Sequence, residues 1–148
     1  VGNYHPHGLA GGCMKVYIAS KFSSRHRMRP IKFKLKQLGF DVLSDWIDNN
    51  PLDDTLGGDY DSIGNNPDAS HDIAERDVKQ VMECDIFIID TQDVSATGGR
   101  ECELGMALMA PTPYVFRVGP IRNVFHAHKY IRVFKSWEEL IPELESML

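Results

Sequence analysis

The sequence predicts one α/β domain with a doubly wound, mainly parallel sheet of five strands and helices on both faces. Short apolar runs alternate with stretches of helical periodicity, the pattern of a parallel sheet joined by right-handed crossovers. A glycine turn at residues 97–99 follows a strand that ends in Asp90 and precedes a helix with acids in its first turns. Glycine lets a backbone approach a ligand closely, and helix-terminal N–H groups can hold an anion. We therefore expect a ligand pocket at this junction.

The expected strand order is 2-1-3-4-5, as in flavodoxin-like and Rossmann-like sheets. Strand one is predicted at residues 15–20. Residues 25–29 form a basic connection, and Pro30 suits the first turn of a helix that Gly39 ends. Strand two follows at residues 40–44.

Two polar segments stand apart from this alternation. Residues 1–13 are glycine-rich and without periodicity, which predicts a flexible leader or a tag remnant before a domain at residues 14–148. Residues 48–70 are rich in Asp, Asn, Gly and Pro and predict a polar loop insert. Ser70 is expected to cap a second helix that runs to about Glu83.

The C-terminal half continues the alternation. We predict strands at residues 85–90, 113–118 and 131–134, and a helix at about residues 100–110. In that helix Gly105 is expected to allow close contact with the sheet. Ser136 begins a capping box for the last helix.

Composition excludes several classes of function. The chain of 148 residues has 43% hydrophobic and 25% charged residues, which is ordinary for a globular domain. A net charge of −5 argues against a surface for polymeric nucleic acid, and no apolar run is long enough to predict a membrane span. Three scattered cysteines predict reduced thiols and a cytoplasmic protein, with Cys84 and Cys102 as small core residues.

Ligands of such sheets bind beyond the carboxyl ends of the strands. The side chains expected there are hydroxyls, carboxylates and arginines with one tryptophan, a set that suits a nucleoside or nucleotide. The candidate substrate-binding residues are Ser20, Arg25, Asp45, Trp46, Asp90, Asp93, Thr97, Gly98, Gly99, Arg100 and Asn123.

Three further motifs are Lys-Val-Tyr-Ile-Ala-Ser at residues 15–20, Glu-Leu-Gly-Met-Ala at residues 103–107, and Val-Gly-Pro-Ile-Arg-Asn-Val-Phe-His at residues 118–126. Together they resemble the nucleoside 2-deoxyribosyltransferase-like family, which includes deoxynucleoside 5′-monophosphate N-glycosidases. The chain is most similar to the branch with Gly-Gly-Arg before the Glu-Leu-Gly segment. The resemblance covers about residues 14–140, apart from much of the insert.

The resemblance implies roles for four residues. Glu103 takes the place of the family's nucleophile, and Asp77 that of an aspartate that positions the base or the nucleophile. Tyr17 lies where family tyrosines contact the nucleophile, although a core role is equally expected. Thr97 replaces a second aspartate of the transferases; the monophosphate-cleaving branch commonly has serine there and uses it to hold phosphate. The departure leaves the acid for the leaving group unassigned, with Asp90 and Asp93 as nearby substitutes.

The implied reaction cleaves the N-glycosidic bond of a 2′-deoxynucleoside or its 5′-monophosphate through a glutamyl-glycosyl intermediate. Deoxyribose then passes to another base or to water. The implied partners are that substrate and a free nucleobase, in a homodimer or larger homo-oligomer, with no cofactor and no metal. Arg25 and Arg100 could hold a 5′-phosphate, and Trp46 could stack on the base or anchor the core.

Two other functions remain open from the sequence. One is a non-catalytic nucleotide-sensing module on the same scaffold. The other is a phosphoribohydrolase of the cytokinin type, although residues 98–101 lack the Gly-Thr that follows the glycines in that family. The base, the need for a phosphate, and transfer against hydrolysis are not fixed by the sequence.

Overall fold

The computed structural model describes residues 13–48, 53 and 66–148. The predicted leader, apart from Cys13, and most of the predicted insert at 48–70 lie outside the described residues. Among the described helices, none has the length and apolar content needed to cross a bilayer.

The described strands form one sheet with every neighbouring pair parallel, in the order β2-β1-β3-β4-β5. This confirms the predicted order. The strands are Lys15–Ala19 (β1), Asp41–Val42 (β2), Ile86–Asp90 (β3), Tyr114–Val118 (β4) and Arg132–Phe134 (β5). The chain order reverses beside β1, so the carboxyl ends of β1 and β3 border the crevice in which such sheets bind ligands.

Helices connect these strands and cover both faces of the sheet. They are Arg25–Leu38 (α1), Pro67–Glu83 (α2), Gly99–Met109 (α3) and Trp137–Glu145 (α4). Because crossovers are right-handed, the reversal at β1 places α1 on one face and the packed pair α2 and α3 on the other. The predicted cap of the last helix is confirmed: Ser136 Oγ accepts a hydrogen bond of 3.2 Å from the Glu139 backbone N–H.

The core lies between these layers and fixes β1 against β3. All five residues of β3 are buried, as are four of the five in β1. The rings of Tyr17 and Phe87 stack in the register of the two strands, with centroids 5.9 Å apart. Parallel strands buried on both faces read as continuous apolar runs, which is why their positions were predictable.

Two predicted helix starts are wrong. The first helix begins at Arg25, directly after a 3₁₀ turn at Phe22–Ser24, so Pro30 lies inside it and the predicted basic connection is helical. The second begins at Pro67, and Ser70 lies within its first turn as the donor to the Asn66 carbonyl. Proline suits the first helical position because its missing N–H has no helical partner there.

Two predictions for α3 are also wrong. Cys102 and Gly105 lie on its exposed outer face, and a Cβ added to Gly105 would meet no atom within 4 Å. Leu104 and Ala107 face the sheet instead. Cys84 is buried as predicted, and all three cysteines are free thiols.

A close backbone contact joins the end of β4 to the loop after β3. Gly119 has a φ of 118°, and a Cβ there would lie 2.7 Å from Thr91 Oγ1 and 2.9 Å from the Gln92 nitrogen. Gly39 has a similar φ of 110° with nothing within 4 Å of the corresponding position. At Gly119 both the positive φ and the close contact disfavour a side chain, whereas at Gly39 only the positive φ does.

We expect Gly119→Ala to lower the free energy of unfolding by about 3 kcal/mol, because the new methyl group adds a clash to an unfavourable φ. Gly39→Ala, the matched control, should cost only about 1 kcal/mol. Urea unfolding of both variants measures the difference. Equal losses would show that the contact at Gly119 is unimportant.

Candidate functional site

A cavity of about 280 Å³ opens beside the carboxyl end of β1, at the place where the sequence predicts a pocket. Its volume is at the lower end for small-molecule sites. Its wall combines aromatic, apolar, hydroxyl and acidic side chains with the start of α3. The lining residues are Ser20, Phe22, Trp46, Asp53, Ile73, Asp77, Thr97, Gly99, Arg100 and Glu103.

Glu103 lines this cavity, and the fully buried Tyr17 contacts it from outside the lining. Gly98 adopts a left-handed φ of 80° that starts α3, and this places Glu103 just over one turn into the helix. Tyr17 lies on β1, and its phenol donates a hydrogen bond to Glu103 Oε2. The structure thus brings together two residues that the family resemblance pairs.

The surroundings of these two groups oppose negative charge. Burial, together with the nearby charge of Asp77, raises the pKa of Glu103 to about 8, although the Tyr17 hydrogen bond works in the other direction. Burial and the charge of Glu103 raise the pKa of Tyr17 well above its usual value. Glu103 therefore takes up a proton near neutral pH, and Tyr17 remains a hydrogen-bond donor.

Asp77 lies on α2 and reaches the same cavity. Arg76 holds it through contacts of 3.0 Å and 2.9 Å from Nε and Nη2 to Asp77 Oδ1. Arg76 also makes a bidentate pair with Asp53, at 2.7 Å and 2.8 Å. Burial raises the pKa of Asp77, Arg76 opposes this rise, and the charges of Asp53 and Asp45 add to it.

Three predicted binding residues follow β1 and β2. Trp46 lines the cavity but is only 6% exposed, because its indole N–H donates to the Ile18 carbonyl at 2.8 Å. Trp46 is therefore a core anchor that also forms part of the cavity wall, and its stacking on a base stays a prediction. Asp45 accepts a hydrogen bond of 2.8 Å from Gln80 and lies beside the cavity rather than in its lining. The Ser20 hydroxyl is shielded from solvent, and no described residue is its hydrogen-bond partner.

The turn before α3 supplies the opposite wall. Thr97 and Gly99 line the cavity, and Gly98 provides the left-handed residue between them. Arg100 is 2% exposed and acts as a brace: it binds Glu101 at 2.7 Å and the Asp90 and Asp93 carbonyls at 3.2 Å and 2.6 Å. Its guanidinium therefore fixes the loop after β3.

Two predicted acids are not brought into the cavity lining. Asp90 is fully buried, where it accepts hydrogen bonds from Trp137 at 2.7 Å, from the Gln92 backbone at 2.9 Å and from Arg27. Asp93 accepts from Ser24 and Arg27 at a neighbouring surface hollow. Both carboxylates are used in holding loops together.

Two other predicted residues also lie outside the lining. The Arg25 guanidinium lies over the ring of Phe22, which lines the cavity, with the guanidinium carbon 4.6 Å from the ring centre. Asn123 caps a 3₁₀ turn and accepts from the backbone N–H groups of Phe125 and His126. Asn123 lines a separate hollow that residues 94–100 border from the other side.

Sequence reasoning missed Arg76 and assigned Asp53 only to the polar insert. The only local signal for Arg76 was its position next to Asp77 in the sequence. Asp53 had no local signal, since its partner is 23 positions away. Among the residues that the structure describes, no group of three His, Cys, Asp or Glu side chains is arranged to hold a metal ion.

No protein-family model and no curated protein matches this chain. The fold has a solved counterpart. The chain is similar in fold to the CMP N-glycosidase BcmB of Clostridium botulinum. The TM-score is 0.55 at 16% sequence identity, and the match covers 89% of this chain and 98% of that one. At this identity the likeness shows the fold.

The raised pKa of Glu103 predicts how a variant changes stability with pH. Below pH 4.5 this residue is protonated in both the folded and the unfolded chain. Between 4.5 and about 8 only the unfolded chain gives up the proton, so the folded protein loses stability as the pH rises. Glu103→Gln removes this loss.

We expect the Tm of Glu103→Gln to equal that of the parent near pH 4.5 and to exceed it by on the order of 5 °C above pH 8. Calorimetry across this range measures the difference. Glu75→Gln is the control, because its parent side chain is 75% exposed. A Tm difference that does not grow with pH would contradict the burial of Glu103.

Proposed function

We propose that this protein cleaves the N-glycosidic bond of a nucleoside or a nucleoside 5′-monophosphate, with Glu103 as the nucleophile. The observation that carries the proposal is the Glu103 carboxyl group in a cavity wall, held by Tyr17 with Asp77 beside it. The fold shared with a CMP N-glycosidase supports it. The family resemblance of residues 103–107 assigns Glu103 the same role.

The reaction follows from these groups. The ionised Glu103 carboxylate attacks C1′ of the sugar as the C1′–N bond breaks, and the bonding electron pair leaves with the base. Asp77 in its protonated form gives its proton to the departing base, a contribution of about 10²–10⁴-fold. The glycosyl ester on Glu103 is then opened by water, which gives hydrolysis, or by a second base, which gives transfer.

The same pair of carboxyl groups must therefore share one proton. Attack needs an ionised Glu103, and base departure needs a protonated Asp77. Since like charges in a buried site do not both ionise readily, the two groups titrate as a coupled pair. The active form is the one in which the proton resides on Asp77.

For the substrate, we propose a pyrimidine nucleotide first. The neighbour acts on CMP, and a cavity of about 280 Å³ favours a small base. The Ser20 and Thr97 hydroxyls and the start of α3 at Gly99 offer hydrogen-bond donors to a phosphate. A 2′-deoxy sugar forms the cationic transition state more readily than ribose, so both sugars belong in the substrate panel. A homodimer or larger homo-oligomer stays a prediction of the family resemblance.

We expect the parent protein to release free base from one or more of CMP, dCMP, cytidine and deoxycytidine, and Glu103→Ala to lower kcat by about 10⁴-fold or more. Ligand binding should be largely retained. Chromatography of the free base, with and without an acceptor base, measures cleavage and separates hydrolysis from transfer. Calorimetric titration measures binding.

Glu75→Ala, on the exposed face of α2, is the matched control and should keep the parent rate. Binding without base release by the parent protein would contradict the proposal and indicate a nucleotide-sensing module.

A second prediction concerns pH and uses nicotinamide mononucleotide, whose cationic base leaves as a neutral molecule without a proton. Its cleavage requires only ionised Glu103, so kcat/KM should rise about tenfold per pH unit and level off near pH 8. Tyr17→Phe removes the hydrogen bond that favours the ionised carboxylate. The plateau should then move to higher pH, and an unmoved plateau would exclude this role of Tyr17.

A further inference from the structure

The Arg76 guanidinium is bracketed by two carboxylates. Nη1 and Nη2 bind both oxygens of Asp53, at 2.7 Å and 2.8 Å. Nε and Nη2 bind Oδ1 of Asp77, at 3.0 Å and 2.9 Å. A guanidinium presents its donors in a fixed plane, so this arrangement fixes the relative orientation of the two acids.

The three residues differ in how they relate to the cavity. Asp53 and Asp77 line it, whereas Arg76 lies behind them and is not part of the lining. Asp53 is 2% exposed, and both of its oxygens bind Arg76. Among the described residues, every hydrogen bond to Asp77 ends on Oδ1 and none ends on Oδ2.

The charges of this group decide which acid keeps a proton. Arg76 alone would favour an ionised Asp77, and that form cannot protonate a departing base. Asp53 cancels the charge of Arg76 at close range, while the geometry of the guanidinium still orients Asp77. The effect of Asp53 is greater on Asp77, which shares the guanidinium, than on Glu103, which no described hydrogen bond joins to Arg76.

We infer that Arg76 and Asp53 are positioning residues with different roles: Arg76 orients Asp77 for delivery of the shared proton to the leaving base, and Asp53, by offsetting the charge of Arg76, keeps that proton on Asp77. This inference rests on the proposed glycosidase function. Burial raises the pKa of Asp77, with Arg76 opposing and Asp53 adding to the rise, which agrees with the geometry. The charged and titratable groups around Asp77 are Arg76 on α2, Asp53, Asp45 in the 3₁₀ turn after β2, Glu103 on α3 and Tyr17 on β1.

The decisive variant is Asp53→Asn, which removes a charge and keeps a hydrogen-bond acceptor for Arg76. We expect cleavage of CMP, or of whichever pyrimidine substrate proves best, to fall about tenfold at pH 8. Each unit by which the Asp77 pKa falls is a tenfold loss of its protonated form. Cleavage of nicotinamide mononucleotide should stay unchanged or increase, because its base needs no proton.

Arg76→Gln is expected to shift the Asp77 pKa in the opposite direction. Opposite shifts in the two variants distinguish an effect on charge from a general loss of structure. Without the cation Asp77 holds its proton more firmly, so the alkaline decline in CMP cleavage should move to higher pH. In Asp53→Asn it should move to lower pH. Asp48→Asn is the matched control, because it breaks an ion pair of 2.8 Å with Lys32 away from the cavity. It should shift neither the acidic nor the alkaline side of the pH–rate profile.

A direct measurement does not depend on turnover. The carboxyl carbon of Asp77, followed by NMR through a pH titration, should show a lower pKa in Asp53→Asn and a higher one in Arg76→Gln than in the parent. An equal loss for both substrates in Asp53→Asn, or an unmoved Asp77 titration, would overturn the inference. A parent protein that cleaves neither substrate but shows the expected titration shifts would refute the glycosidase proposal and not the charge arrangement.

Discussion

The contact between Tyr17 and Glu103 joins the two halves of the site. One residue comes from the most buried part of the sheet and the other from the helix that follows the glycine turn. Their contact requires β1 to lie beside β3 and α3 to start immediately after the loop that follows β3. The strand order, the left-handed Gly98 and the Arg100 brace all serve that requirement. A carboxyl group held in this way is oriented before any ligand arrives, and such preorganisation is a large part of enzymatic rate enhancement.

Burial disfavours the charged form of the Glu103 carboxyl group, and neighbouring residues partly offset this effect. The proposed nucleophilic role requires a charged carboxylate, yet the burial of Glu103 disfavours that charge. The Tyr17 hydroxyl lowers the cost, and Arg76 lowers it from a greater distance. The site is thus a compromise between reactivity and stability, as is common where catalytic groups are buried.

The sequence predicted the positions of β1 and β3 because they are continuous buried apolar runs, and the alternation of strands and helices predicted the order and parallel direction of the sheet. The family resemblance singled out Glu103, Tyr17 and Asp77, and the structure places all three at or beside one cavity; their roles stay predictions. Helix starts were harder: Pro30 is a plausible first residue in the sequence, and only the 3₁₀ turn at Phe22–Ser24 shows that α1 starts earlier. Asp90 and Asp93 were predicted to face a ligand because one ends β3 and the other follows it, but Arg27 binds both carboxylates instead. Such long-range polar pairing leaves no periodic trace in a sequence.

The origin of Asp53 has a consequence for how such a site diversifies. The proposed nucleophile, Glu103, and the proposed proton donor, Asp77, lie on helices that pack on the sheet, whereas Asp53, the residue proposed to offset the charge beside them, comes from the connection between β2 and α2. In the proposed mechanism a substitution at Asp53 changes which leaving groups are tolerated, while the helices that carry Glu103 and Asp77 keep their places on the sheet. Selectivity and architecture then depend on different parts of the chain.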